Sequence, residues 1–239
     1  MINIVICTKD RPGLLSICLS GLLNQDAANF DVSIFDFGES SALFSFEVVK
    51  VMELCNLMDI NISYNQCSKL SERCFTYHRY YSTEAVKERE GDYILTLDDD
   101  IFLESDYFMK LLHVMKVEKA GFVVGNIVEV DNYRKFKDFT RKELTFDGEF
   151  KYGMYKDDCA VKIKWSVDGA TLFSKQKFFE SGGYTDLKEL PGGADIVITK
   201  ILAKKYGGYM RTGAKAWHLS DLSKEKGYKG EFVEIIYGK

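Results

Sequence analysis

The sequence predicts an α/β protein built on a mostly parallel sheet flanked by helices, and three observations point there. The first is a continuous apolar run, Ile2 to Cys7, of the kind that makes a strand buried on both faces. The second is rhythm: short β-rich runs alternate with helical spacing through the first 120 residues, as βαβ crossovers do. The third is Tyr93-Ile94-Leu95-Thr96-Leu97-Asp98-Asp99-Asp100, an apolar strand that runs straight into three carboxylates. Adjacent like charges repel and are tolerated best beside a cation or solvent. In open α/β sheets the carboxyl ends of the strands face the ligand crevice.

The elements follow in order. Strand Ile2–Cys7 gives way to Thr8-Lys9-Asp10-Arg11-Pro12, with Pro suited to a first helical turn. The helix after it carries Leu15, Cys18, Leu19 and Leu22 on one face. A second strand, Asp31 to Phe37, ends in a loop with helix-cap chemistry at residues 36–41. Phe44, Val48, Val51 and Cys55 mark the next helix, and residues 60–64 a third strand. Leu70, Cys74, Tyr77, Tyr81 and Ala85 keep helical spacing up to the acidic strand; Phe108, Leu111, Leu112 and Met115 define the helix beyond it.

After Gly121 the rhythm changes. Residues 122–130 read as a strand with a bulge at Gly125-Asn126, and 131–160 as an excursion or hairpin. A strand at Ala170–Phe173, a short helix from Lys175, a helix opened by Gly192-Gly193-Ala194-Asp195 and an extended run from Tyr209 to Leu219 complete the chain. We divide it into a first half (1–120), a second half of the same domain (121–219) and a Lys/Gly-rich tail (220–239), expected to be mobile and a candidate lid through Lys224, Lys226 and Lys229.

The 239 residues carry a net charge of −4 and no long Lys/Arg run, which argues against a nucleic-acid footprint or a polybasic anchor. Six cysteines lack any CxxC or zinc-like spacing and read as reduced core thiols. With no signal-like start and no run of the roughly 20 apolar residues that span a bilayer, the expectation is a cytoplasmic protein.

Topology alone predicts that Thr8–Arg11, the 36–41 loop and Asp98–Asp100 converge at one sheet edge. Oxygen ligands there suit a hard divalent cation, and a nucleotide diphosphate needs one. The bland alternative is a solvated acidic turn.

Taken together, Ile-Val-Ile-Cys-Thr-Lys-Asp-Arg-Pro, Asp36-Phe37-Gly38-Glu39-Ser40 and Leu97-Asp98-Asp99-Asp100 resemble the nucleotide-sugar glycosyltransferases of the GT-A fold, family 2 most of all. Later stretches continue the likeness: Asp168–Phe173, Gly182-Gly183-Tyr184-Thr185-Asp186, Gly193-Ala194-Asp195 and Ala216-Trp217-His218. The resemblance covers residues 2–219. It implies a Rossmann-like sheet with a smaller mixed acceptor-side part, a UDP-sugar donor, an acceptor hydroxyl and transfer with inversion.

By the same resemblance, Thr8, Arg11 and Asp36 would contact the donor's nucleoside, and Gly169 would lie at the donor sugar. Asp98 would face ribose or sugar, Asp100 would ligate Mn²⁺ or Mg²⁺ in a DXD motif, and His218 would be the second metal or diphosphate contact. Asp99 is the intervening residue and could shift that register. Arg73, His78 and Arg79 compete as the basic donor contact, with Arg79 carried forward. Asp195 is the candidate general base, or else the N-cap of the helix after it. Trp165, Trp217 and Tyr184 could line an acceptor pocket. The residue before Asp195 is Ala194 where the family commonly has a second acid, which keeps open a non-catalytic carbohydrate- or nucleotide-binding module. A sugar-phosphate nucleotidyltransferase is the other alternative, although the loop after the first strand lacks its glycines.

Overall fold

The computed structural model describes residues 1–26, 29–129, 138–139, 154–155, 157–167 and 169–219. The tail, Asp168 and nearly all of the 131–160 excursion lie outside the described residues.

The first half builds four parallel strands. β1 (Ile2–Thr8) is buried along its whole length and sits between β2 (Phe30–Asp36) and β4 (Tyr93–Asp98), while β3 (Asn61–Gln66) pairs with β2 and ends the sheet. Helices α1 (Pro12–Leu23), α2 (Phe46–Leu57) and α3 (Phe75–Ala85) make the crossovers. A strand flanked on both sides by parallel neighbours buries mainly apolar side chains, and Ile2, Ile4, Val5 and Ile6 are buried; polar Asn3, buried with them, donates to the Glu90 carbonyl at 2.8 Å. On α1, Leu15, Cys18, Leu19 and Leu22 are all buried, as their spacing predicts.

The second half is mixed. β5 (Ile101–Leu103) follows the acidic turn directly, a strand too short to show in the sequence pattern. After α4 (Tyr107–Glu118) come β6 (Phe122–Glu129) and the short β7 (Asp138–Phe139) and β8 (Met154–Tyr155), which pair with each other. Then follow β9 (Ala160–Ile163), β10 (Ala170–Ser174), α5 (Lys175–Glu180), α6 (Ala194–Tyr206) and β11 (Gly208–His218). Among the described residues the main sheet runs β3-β2-β1-β4-β10-β6-β11-β5, with β9 on β11. β10 is antiparallel to both β4 and β6, whereas β11 runs parallel to β6.

Two expectations are corrected. The irregularity at Gly125-Asn126 exists, but the extra residues belong to the facing strand: Arg211 pairs with Gly125 and Lys215 with Asn126, so residues 212–214 of β11 stand out. They are held by Lys110 Nζ donating to the Gly213 carbonyl at 2.6 Å and Gly213 N donating to Asp158 at 3.1 Å. Gly125 itself is needed for close approach. The Tyr107 hydroxyl accepts from its N–H at 3.1 Å and donates to the Ala170 carbonyl at 2.6 Å, tying β6 to β10. A Cβ on Gly125 would meet the Tyr107 ring and, at 2.5 Å, the Ala214 carbonyl oxygen. Gly125→Ala is therefore expected to cost about 1–3 kcal/mol, read as a lower Tm in a thermal melt at about 2–4 °C per kcal/mol.

The second correction concerns α3. Its buried face is Thr76, His78, Arg79, Ser82 and Thr83, whereas the predicted apolar stripe includes Tyr81 and Ala85, both exposed. Apolar periodicity misleads here because α3 turns polar groups towards the carboxyl end of the sheet. Among the described residues no helix is long and apolar enough to cross a membrane.

Candidate active site

The acidic turn lies where β4 leaves the sheet, beside the end of β1. Asp98 N donates to the Gly169 carbonyl at 2.8 Å, which brings the start of β10 against the first carboxylate. Gly169 has φ 141°, a conformation that side chains resist, and an added Cβ would lie 3.0 Å from Ile127 Cδ1. The far end of β11 closes the cluster: His218 pairs in register with Ile101, and Leu219 N donates to the Asp100 carbonyl at 2.9 Å. So Thr8, Arg11 and Asp98–Asp100 come together, as the strand order predicts, and Arg79, Gly169 and His218 join them.

The three carboxylates have different surroundings. Asp98, the most accessible, is ion-paired by Arg79, whose guanidinium is fully buried and also lies 4.9 Å from the Phe75 ring centroid. Of Arg73, His78 and Arg79, it is Arg79 that reaches the turn. Arg73 instead stands 3.9 Å from exposed Glu189, and His78 Nε2 lies 2.9 Å from the Leu70 carbonyl.

Asp99 is wholly buried. It accepts from Thr8 Oγ1 at 2.7 Å and from Arg11, whose other nitrogen reaches Asp100 at 3.2 Å. Burial pushes the Asp99 carboxyl up to about 6 despite Arg11, and the Asp100 charge adds to the rise. Thr8 and Arg11 therefore point at the middle carboxylate.

Asp100 behaves oppositely. Burial alone would raise it, but His218 and Arg11 together hold it below the usual carboxylate value. Its buried Oδ1 makes no hydrogen bond, and His218 Nε2 stands 3.4 Å away. A carboxylate oxygen and an imidazole nitrogen side by side are donors that a divalent ion such as Mn²⁺ would accept. Among the described residues no group of three or more His, Cys, Asp or Glu is placed to hold a metal by itself.

Asp36 is fully buried and its carboxylate organises the loop after β2. Oδ1 accepts from Gly38 N at 2.8 Å; Oδ2 accepts from Ala42 N at 2.8 Å and from the Tyr64 hydroxyl. Tyr64, raised by burial and then by Asp36 to about 12, had no signal in the sequence beyond its place in β3. The loops after β1 and β2 are joined, since Asp10 Oδ1 accepts from Glu39 N at 3.2 Å.

Asp195 lies in the first turn of α6, whose N-cap is Gly193, so the capping alternative is set aside. Its Oδ1 accepts from the Tyr184 hydroxyl at 3.1 Å. One turn on, Thr199 Oγ1 accepts from Ser166 N at 3.0 Å, which anchors α6 to the segment leading into Gly169. Of the three aromatics expected at an acceptor pocket, Tyr184 is buried, and Trp217 Nε1 donates to Glu104 at 3.2 Å.

His78 carries a separate consequence. It is buried, stacked on Phe37 with ring centroids 3.8 Å apart, and burial, with Lys9 and Arg79 adding, holds its pKa below 6.5. The unfolded chain takes up that proton near pH 6.5 while the folded chain resists it, so the His78 contribution to stability falls as pH drops through 6.5, whereas buried Asp99, raised to about 6, contributes in the opposite sense. Urea midpoints of the parent and of His78→Gln at about pH 7.5 and about pH 5.5 separate the two: on going to pH 5.5 the parent should lose more stability, or gain less, than the variant.

A β1–β4 parallel block continued by the antiparallel β10 and the mixed β6-β11 pair, with carboxylates at the end of β4, is the GT-A fold. Solved structures share it. TarS 1-349 from S. aureus superposes with a TM-score of 0.66 at 13% identity, over 92% of this chain and 60% of that one. TarS 1-349 in complex with UDP-GlcNAc gives 0.65 at 12% identity, over 95% and 59%. GalNAc-T7 with UDP, GalNAc and Mn²⁺ gives 0.65 at 13% identity, over 92% and 43%. The chain thus spans less than two thirds of each of these proteins. No family model and no curated protein sequence matches it.

Proposed function

We propose that this chain is a glycosyltransferase that moves a sugar from a UDP-sugar to an acceptor hydroxyl with inversion. The observation that carries the reading is the meeting of Asp98, Asp100, Gly169 and His218 at the carboxyl edge of a GT-A sheet. The fold is shared with proteins solved with UDP, with UDP-GlcNAc, and with UDP, GalNAc and Mn²⁺.

In this reading Asp100 and His218 would hold Mn²⁺ or Mg²⁺, which would supply positive charge to the leaving diphosphate. Asp98, oriented by Arg79, faces the ribose or the donor sugar. Thr8 and Arg11 fix Asp99, so the middle carboxylate braces the turn while its neighbours face the ligand. Asp36 shapes the wall of the nucleoside site through the loop it caps. The acceptor oxygen attacks the anomeric carbon, the bond to the diphosphate breaks with its electron pair leaving on the phosphate oxygen, and the hydroxyl proton passes to Asp195. Tyr184 orients that carboxylate. The acceptor is a hydroxyl compound: a glycan, lipid-linked sugar, protein, small molecule or modified nucleic-acid base.

The test is product formation from a panel of nucleotide sugars with Mn²⁺, Mg²⁺ or EDTA. Cation-dependent release of UDP from at least one donor, hydrolysis included, is the expected result. Binding without any turnover would favour the non-catalytic module, and pyrophosphate release from a sugar phosphate plus UTP would favour the nucleotidyltransferase.

A further inference from the structure

Away from the carboxyl edge, the most exposed large apolar side chains among the described residues cluster on and beside α2. Phe44 is 86% exposed, Leu57 80% and Phe46 69%, with Leu43, Leu54 and Met58 beside them. With whole side chains of roughly 150–250 Å², these six leave about 700 Å² of apolar surface in water. The largest patch of an ordinary monomer is about 300–600 Å², and a standard interface takes about 800 Å² from each partner. The same flank ends in β3, whose outer edge has no strand partner among the described residues. An open strand edge is a further invitation to association.

The order of residues along the helix says what fits there. Phe46, Lys50, Glu53 and Leu57 follow one another at spacings of four, three and four, so they form a single stripe. Read from either end, the stripe is apolar, charged, charged of opposite sign, apolar. It is self-complementary only when a second copy lies antiparallel. A two-fold axis between Val51 and Met52 would set Phe46 against Leu57 of the second copy and Lys50 against its Glu53. Within one chain Lys50 Nζ already lies 2.7 Å from Glu53, with both side chains about half exposed, so the pair can be shared across the axis. Glu47 and Glu53 beside the apolar residues repel an anionic lipid surface, which favours protein over membrane as the occupant.

We propose that the chain forms a two-fold dimer through α2, in an isologous antiparallel helix pair. The inference is independent of the transferase reading. Sedimentation velocity of the full chain at about 50 µM is expected to give twice the 27.3 kDa chain mass. Phe46→Glu/Leu57→Glu should halve the mass while leaving the circular dichroism spectrum and the thermal melt cooperative. Lys50→Glu and Glu53→Lys alone should each weaken the dimer at least about tenfold, and the double reversal K50E/E53K should restore it. Because both residues are half-exposed, the fold tolerates either reversal, so the charge arm stands even if the apolar variant unfolds. A wild-type monomer, a dimer indifferent to the apolar and the charge changes, or a monomer that binds lipid vesicles would each overturn the proposal.

Discussion

Asp195→Asn is expected to lower kcat for sugar transfer by about 10²–10⁴-fold, the usual contribution of a positioned general base. Donor KM should stay within about threefold, because the proposed role of the residue is on the acceptor side. The amide is nearly the shape of the carboxylate and its oxygen can still accept from Tyr184, now 3.1 Å from Oδ1. Folding should therefore be unaffected, and a thermal melt within a degree or two of the parent is the control. Tyr184→Phe tests the orienting bond separately: a smaller fall in kcat of about tenfold, with the acid limb of the pH–rate profile moved, is the expected signature. Turnover near the parental rate in Asp195→Asn would make the carboxylate a helix-terminus charge and nothing more.

The second large effect separates neighbouring carboxylates. Asp100→Asn is expected to reduce kcat/KM by about 10²–10³-fold and to abolish the advantage of Mn²⁺ over EDTA, since it removes the charge facing His218 at 3.4 Å. Asp99→Asn should instead act on stability. Its carboxylate is fully buried between Thr8 and Arg11, so an amide there keeps one acceptor bond through its oxygen and turns the other into a mismatched donor, at a cost of about 1–3 kcal/mol. The contrast is measured by urea midpoints on one side and initial rates with and without Mn²⁺ on the other. If Asp99→Asn lost activity with stability intact while Asp100→Asn kept its metal response, the division of roles would be reversed.

The nucleotide-side half of the fold was legible in the sequence because parallel strands bury both faces. Ile2–Cys7 and Tyr93–Leu97 can be nothing but core, and their pairing then fixes where Thr8 and the aspartates emerge. What stayed hidden is what depends on contacts across the chain. Arg73, His78 and Arg79 lie within seven residues of one another, Arg73 ahead of α3 and the other two on it, and only the packing of the helix brings Arg79 to Asp98. Tyr184 is eleven residues from Asp195, a separation with no local periodicity to announce the bond. β5 has three residues, too few for alternation to register, yet it seats His218 against the turn. The carboxylate of Asp36 reads from sequence equally well as loop cap or as ligand contact; the folded chain fills it with Gly38, Ala42 and Tyr64.

Calorimetric titration of UDP into the wild-type chain and into Asp100→Asn, each with Mn²⁺ and with EDTA, goes most directly to the nucleotide site. Binding that requires Mn²⁺ in the wild type and vanishes in the variant is the expected result. Absence of UDP binding under every condition, or binding that ignores both the cation and the substitution, would contradict a diphosphate site at Asp100 and His218.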